Sequence, residues 1–138
     1  MKINTTKLYL AFSGLIITLV GAFIAFSPVA YLQQFELGHA PQLSFLSEMR
    51  GMGGALVGYG LLSLLAVLVQ TLQRSALITA TLTFSAFSFF RITGILVDGL
   101  PGQGILLALT IECIFGLLGL ILLAKGNGPS LSRSDKHF

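Results

Sequence analysis

The chain has 138 residues, of which 54% are hydrophobic and only 9% are charged, and its formal net charge is +3. Soluble globular domains carry roughly a quarter charged residues, so this composition and a mean hydropathy of +0.90 exclude an ordinary soluble domain. The sequence also lacks the basic tracts that bind phosphates, and we expect no nucleic-acid partner.

Four apolar segments are long enough to cross a bilayer, whose hydrocarbon core of about 30 Å requires roughly 20 helical residues. We therefore predict an all-α fold, an integral membrane up-down-up-down bundle of four transmembrane helices that forms one domain over residues 1–125. The polar residues 126–138 predict a disordered cytoplasmic tail. The predicted spans are residues 8–27, 46–69, 75–97 and 105–124.

The first span begins after Lys2 and Lys7, as a secretory signal would, but its apolar run of about 20 residues is too long for such a signal and predicts a retained helix. In the link that follows, Val29, Leu32 and Phe35 recur every third residue beside polar neighbours. This spacing predicts a short helix that either lies on the membrane surface or caps the bundle. The two later links are short, so the helices that they join are predicted to be antiparallel neighbours.

Basic residues outside the spans predict the orientation, because such residues concentrate on the cytoplasmic side of membrane proteins. If both termini are cytoplasmic, six of the eight basic residues lie on that side. These are Lys2, Lys7, Arg74, Lys125, Arg133 and Lys136, whereas Glu36, Glu48 and Asp98 lie on the opposite side. We expect a multi-pass membrane protein with cytoplasmic N and C termini.

Arg50, Arg91 and Glu112 lie inside the predicted spans, where a charge near the bilayer centre costs about 3 kcal/mol. At about 1.5 Å per helical residue, Arg50 lies about 6 to 8 Å below the outer rim and the other two lie about 10 Å below it. The three side chains form one predicted charged layer in the outer half of the bundle. Glu48 and Asp98 lie just above this layer and complete a predicted ligand-binding or buried polar network.

Glycines recur at helical spacing within the spans, and in lipid such small residues let two helix backbones approach closely. The predicted helix-packing glycines are Gly14 and Gly21, Gly54 and Gly58, and Gly116 and Gly119. Arg50 is four residues before Gly54, and Glu112 is four residues before Gly116. Residues four apart share a helix face, so both charges are predicted to point into the bundle.

The charged layer supports several hypotheses about function. Our main hypothesis is a non-enzymatic membrane protein that uses this layer to bind a polar or anionic small molecule or a lipid head group, or to dock a partner. The alternative is a structural accessory subunit of a membrane complex whose charges only pair internally. A less favoured hypothesis is a small oligomeric transporter or proton pathway with Glu112 as the titrating group. The expected partners are membrane lipids, followed by a second copy of the chain or a subunit of a membrane complex.

The sequence contains no recognisable catalytic motif. It has no nucleophile and base set, no metal-ligand spacing and no phosphate-binding glycine loop, so we predict no catalytic residue, metal or cofactor. Cys113 directly follows Glu112, which places the two side chains about 100° apart around a helix and leaves the carboxylate poorly placed to activate the thiol. The sequence favours a protein that is not an enzyme, without deciding the question.

Two sequence patterns are unusual inside apolar helices. The first is Ser47-Glu48-Met49-Arg50-Gly51-Met52-Gly53-Gly54, and the second is Phe90-Arg91-Ile92-Thr93-Gly94, which leads to Asp98-Gly99, Pro101 and then Glu112. In these patterns the chain resembles, over nearly its whole length, the family called domain of unknown function 4345, small four-span proteins of bacteria. The resemblance implies a four-helix membrane bundle in which Glu48, Arg50, Arg91, Asp98 and Glu112 are the family's polar positions. It also implies a location in the bacterial cell inner membrane, but it implies no particular activity.

Overall fold

A computed structural model describes residues 4–35 and 42–126, and the regular secondary structure of these residues is helical. The helices are α1 (Thr5–Phe26), α2 (Pro28–Gln33), α3 (Leu43–Leu68), α4 (Gln73–Asp98) and α5 (Gln103–Gly126). A 3₁₀ turn at Gln70–Leu72 joins α3 to α4. All of these helices except α2 are long and apolar enough to cross a membrane. The predicted all-α, four-span fold is therefore confirmed.

Some sequence predictions lie outside the described residues. The predicted tail over residues 126–138 is among them, except for Gly126, which is the last residue of α5. The predicted sides of Lys2, Glu36, Arg133 and Lys136 also lie outside them. The outer end of the bundle is the end that carries the α1–α3 and α4–α5 connections.

The residues at two helix ends explain how the chain changes direction at the outer end. Pro28, which has no amide hydrogen, is the first residue of α2 and separates this helix from α1. Gly99 follows α4 with a φ of 100°, in the left-handed region that favours glycine, and its amide donates to the carbonyl of Ile95. This glycine turns the chain from α4 toward α5.

α1 and α3 pack along a glycine seam, which consists of Gly14 and Gly21 of α1 with Gly53 and Gly60 of α3. A Cβ atom placed on Gly14 would lie 2.9 Å from the carbonyl oxygen of Gly60, and one on Gly53 would lie 2.7 Å from that of Gly21. Larger residues would force the backbones apart, so glycine permits this close contact. Gly14 faces Gly60 and the later Gly21 faces the earlier Gly53, so α1 and α3 are antiparallel.

The packed face of α3 differs from the predicted one. No described residue lies within 4 Å of a Cβ placed on Gly54 or Gly58, whereas Gly53 and Gly60 are buried. Buried positions on both helices recur alternately four and three residues apart, as in a coiled-coil contact stripe. Gly54 lies one residue, about 100° of helix rotation, off this stripe, and Gly58 lies on the same side as Gly54. The stripe contains Leu10, Gly14, Ile17, Gly21 and Ile24 on α1 and Met49, Gly53, Leu56, Gly60 and Ser63 on α3.

α4 and α5 form the second antiparallel pair. Gly116 of α5 is buried against Ser85 of α4, and Gly119 is buried against Thr81. The hydroxyl of Tyr9 on α1 donates to the carbonyl of Phe115 at 3.1 Å, which joins α1 to the inner half of α5. Many large apolar side chains of α4 and α5 are exposed, as expected for helices surrounded by lipid.

α2 caps the outer end of the bundle, which is one of its two predicted placements. Leu32 is buried, and the ring of Tyr31 lies 5.8 Å from that of Phe23 and 4.9 Å from that of Phe35, centre to centre. Phe35 also packs against the start of α5, because a Cβ placed on Gly104 would lie 3.0 Å from Cε1 of its ring. The α2 segment thus bridges α1 and α5 above the gap between them.

We expect Gly53→Ala to destabilise the protein and Gly54→Ala to leave its stability unchanged or slightly higher. The new methyl group at position 53 would lie 2.5 Å from the backbone nitrogen of Ala25, and such overpacking costs about 1–3 kcal/mol. The methyl group at position 54 meets no described residue, and alanine favours a helix over glycine by about 1 kcal/mol. Thermal unfolding of the two variants in mild detergent measures the difference. Equal stability of the two variants would contradict the assigned seam.

Candidate functional site

Arg91 of α4 and Glu112 of α5 form an ion pair within the membrane-spanning part of the bundle. The Nε atom of Arg91 donates to both carboxylate oxygens, at 2.8 Å to Oε2 and 3.0 Å to Oε1. The two side chains are 21% and 12% exposed, so the pair is largely shielded from its surroundings. From the ends of α4 and α5, the pair lies about 10 to 14 Å below the outer end of the bundle.

Glu112 engages only one of the nitrogen atoms of Arg91. A guanidinium group carries N–H donors on three nitrogen atoms, and neither Nη1 nor Nη2 donates to any residue in ranges 4–35 and 42–126. The guanidinium carbon lies 5.9 Å from the ring centre of Phe87, one turn earlier on α4, which gives a cation–π contact. The pair is neutral as a unit, but its arginine retains hydrogen-bond donors that no described residue uses.

Arg50 is predicted in the same layer, but the structure places it against the end of α1. Its Nη1 atom donates to the carbonyl oxygen of Ala25 at 2.7 Å and to that of Phe26 at 3.5 Å. The last carbonyl groups of a helix have no partner within the helix and carry partial negative charge, so a guanidinium group stabilises them. Arg50 is exposed, and its side chain caps the C-terminus of α1.

Glu48 and Asp98, the two acids predicted at the rim, are both exposed near the outer end. Within the part of the chain that the structure describes, neither accepts a hydrogen bond from Arg50 or Arg91. The structure therefore brings Arg91 and Glu112 together and leaves the other three predicted polar residues at separate places. Depth along a helix does not determine which charges meet, because the direction of each side chain around its helix also matters.

A cavity of about 240 Å³ lies beside the ion pair, between α1 and the α4–α5 pair. Arg91 and Glu112 line it, together with Thr83 of α4 and Gln34, which follows α2. The other lining residues are apolar or aromatic: Ile16, Ile17, Val20, Phe23, Ile24, Tyr31, Phe35, Leu56, Phe84, Phe87, Ala108 and Ile111. Mostly apolar walls with a few polar groups are typical of sites that bind small molecules.

The polar groups of the cavity are concentrated toward its outer part. Gln34 and the ion pair lie there, whereas Thr83 is about 12 Å from Arg91 along α4. The hydroxyl of Thr83 already donates to the carbonyl of Thr79 at 2.8 Å. The cavity therefore combines a polar outer part with an inner part whose walls are apolar.

The sequence prediction omitted the walls of this cavity. On α4, Phe84, Phe87 and Arg91 recur three and four residues apart, which places them on one face. On α1, Ile16, Val20 and Phe23 share a face in the same way. This periodicity was the signal that the sequence offered, but it does not determine which helix faces border a common space.

The ion pair predicts strong energetic coupling between Arg91 and Glu112. Arg91→Ala and Glu112→Ala each leave a charge unpaired within the membrane, so each should lower the free energy of unfolding by about 1–3 kcal/mol. The double variant should lose less than the sum of the single losses, with a coupling of about 0.5–3 kcal/mol. Reversible unfolding in mixed micelles measures these values.

Arg50→Ala combined with Glu112→Ala provides the control for this cycle. Arg50 bonds to α1 and not to Glu112, so the two effects should add. If the losses in free energy of unfolding caused by Arg91→Ala and Glu112→Ala also add, the result contradicts the ion pair.

The sequence pattern that defines the family Domain of unknown function (DUF4345) matches residues 5–123, which cover most of the chain and extend into all four long helices. No protein of curated function and no solved structure gives a significant match. The matched range contains both Arg91 and Glu112 and nearly all of the four-helix architecture. The chain therefore belongs to the DUF4345 family, a domain of unknown function.

Proposed function

We propose that this membrane protein binds a small amphiphile or a lipid, with the polar head group beside Arg91 and Glu112 and the apolar part in the adjacent cavity. The observation that carries the proposal is a largely apolar cavity lined by an ion pair whose arginine has two nitrogen atoms, Nη1 and Nη2, that donate to no described residue. An unsatisfied polar group within hydrocarbon costs several kcal/mol. A ligand that supplies an acceptor to Nη1 or Nη2 removes part of this cost and is stabilised in return.

The construction of the bundle supports a binding site at this place. The glycine seam holds α1 and α3 close together, and Gly116 and Gly119 hold α5 against α4. The cavity lies at the boundary between these two helix pairs, where ligand sites in helix bundles are commonly found. Tyr31 and Phe35 cover its outer part from the α2 segment. Two closely packed helix pairs therefore border a space that neither pair fills.

A second candidate function is a structural accessory subunit of a membrane complex. The observation that favours it is the ion pair itself, because Nε of Arg91 contacts both oxygens of Glu112 and the two charges neutralise each other. Under this alternative the pair only fixes the position of α4 relative to α5. The two candidates differ in one respect that can be measured: only the first requires a molecule in the cavity.

We place the protein in the inner membrane of a bacterial cell as a multi-pass protein with cytoplasmic termini. Among the described residues, Lys7, Arg74 and Lys125 lie at one end of the bundle, whereas Glu48 and Asp98 lie at the outer end. Basic residues near helix ends remain on the cytoplasmic side. This asymmetry supports an outer end that faces away from the cytoplasm.

Cysteine labelling tests this orientation. Cys113 is exposed and is first replaced by serine, after which Leu100→Cys and Gln70→Cys place single thiols in the α4–α5 and α3–α4 connections. We expect an impermeant maleimide to label Leu100→Cys in intact cells and Gln70→Cys only after lysis, because the basic end remains inside. The reverse pattern would overturn the proposed orientation.

Photolabelling tests the proposed binding. The probes are a medium-chain fatty acid with a diazirine in its chain and a terminal alkyne, and the methyl ester of that acid. We expect at least one probe to label the cavity walls on α1 and α4 of the wild-type protein in bilayers. Ala108→Phe should reduce this labelling severalfold because its ring would fill part of the cavity, and peptide mapping by mass spectrometry measures the change.

Leu107→Phe is the matched control for the cavity variant. It introduces a phenylalanine at the adjacent residue of α5, whose side chain is 65% exposed and points away from the cavity lining. Labelling of the cavity walls should remain as in the wild type. If both probes label only exposed helix faces, equally in all three proteins, the binding proposal fails and the structural role is favoured.

A further inference from the structure

We infer that the head group of the ligand is a neutral hydrogen-bond acceptor, such as the carbonyl group of an ester, ketone or amide, and not an anion. This inference rests on the proposed binding function and specifies the chemistry of the same site. It narrows the polar or anionic ligand that the sequence predicts to the neutral polar case.

The charge of the site supports this choice. Glu112 neutralises Arg91 through contacts of 2.8 and 3.0 Å, and Arg50 bonds to α1 instead of joining them. An anion that approaches the Nη atoms of Arg91 also approaches the carboxylate of Glu112, and like charges repel strongly in a medium of low dielectric constant. The anion would in addition lose its hydration, which the neutral pair cannot fully replace.

A neutral acceptor avoids both penalties. The Nη donors of Arg91 are positively charged, so a hydrogen bond to a carbonyl oxygen is charge-assisted and stronger than a bond between neutral groups. In the described part of the chain, three further residues that line the cavity have side chains that can form hydrogen bonds: Tyr31, Gln34 and Thr83. All three are uncharged. The site therefore offers donors without a net charge for an anion to neutralise.

The surrounding bilayer makes the head group decisive for selectivity. An alkyl chain that moves from lipid into an apolar cavity remains in an apolar environment, so it gains little from the hydrophobic effect. The lining residues of α4 extend over about 12 Å, from Thr83 to Arg91, and the inner walls beside Phe84 and Ile16 offer an alkyl chain only apolar contacts. The head group, through its charge and its hydrogen bonds, must therefore supply most of the difference in affinity between ligands.

The two photoprobes differ only in this head group, so their direct comparison tests the inference. At a pH at which the acid is ionised, we expect the ester to label the cavity walls of the wild type about tenfold more than the acid, because Glu112 repels the carboxylate of the acid and the site does not replace its hydration. Labelling of the exposed face of α5 at Leu117 reports the membrane concentration of each probe and normalises the two signals.

A single substitution should reverse the preference. Glu112→Gln keeps the size of the side chain and removes its charge, which leaves a net positive charge on Arg91. We expect the acid to label this variant more strongly than the ester. Arg50→Gln is the control, because it removes a cation near the outer end without changing the pair, and the ester should remain preferred.

The outcomes separate this inference from the proposed function. If the acid labels the wild-type cavity as well as the ester or better, the ligand is anionic and the inference is wrong, although binding stands. If neither probe labels the cavity, the proposed function itself fails. If Glu112→Gln does not fold, the wild-type comparison and the Arg50→Gln control still decide the question.

Discussion

The contact between Arg91 and Glu112 constrains the rest of this structure. Neither charge is stable alone in hydrocarbon, so α4 and α5 must adopt the rotation and depth at which the two side chains meet. Arg91 meets this requirement through Nε, at 2.8 and 3.0 Å from the carboxylate oxygens. This geometry differs from a two-nitrogen fork, in which Nη atoms also contact the carboxylate. The same contact that fixes the helices therefore leaves donors beside the cavity.

The two helix pairs are held together by different forces. α1 and α3 approach through glycines whose spacing matches on both helices, so dispersion between backbones holds this pair. α4 and α5 combine two buried glycines with the ion pair, and their outer surfaces remain largely exposed. Between the pairs, α1 presents larger side chains such as Ile16, Val20 and Phe23. These side chains keep α1 away from α5 below the α2 cap, which explains why a cavity forms there.

Sequence reasoning predicted the four helices and not the arrangement of their faces. Segment length and hydropathy determine a transmembrane helix almost alone, because only a helix satisfies its own backbone in lipid. The seam was harder to predict, since Gly54 and Gly58 form the more familiar motif. Gly53 and Gly60 are seven residues apart, as are Gly14 and Gly21, and this shared spacing was the better signal.

The candidate site was predictable in part for a similar reason. The depths of Arg91 and Glu112 followed from their distance to the helix ends, and the structure places them in contact. Arg50 lies at a comparable depth, but its acceptors are backbone carbonyl groups of α1, which a search for acidic partners does not consider. The cavity walls depend on which apolar faces border one space, and that property belongs to the packed bundle.

An energetic comparison favours a binding role over a purely structural one. Replacing a buried ion pair by well-packed apolar residues is often neutral or stabilising, so a pair of leucines would hold α4 to α5 at least as well. The glycines at 116 and 119 already bring these helices together without any charge. What leucines cannot supply is a set of charged N–H donors beside an apolar cavity. Glu112 makes the presence of Arg91 in lipid tolerable, and the Nη donors of Arg91, which bond to no described residue, can serve a ligand.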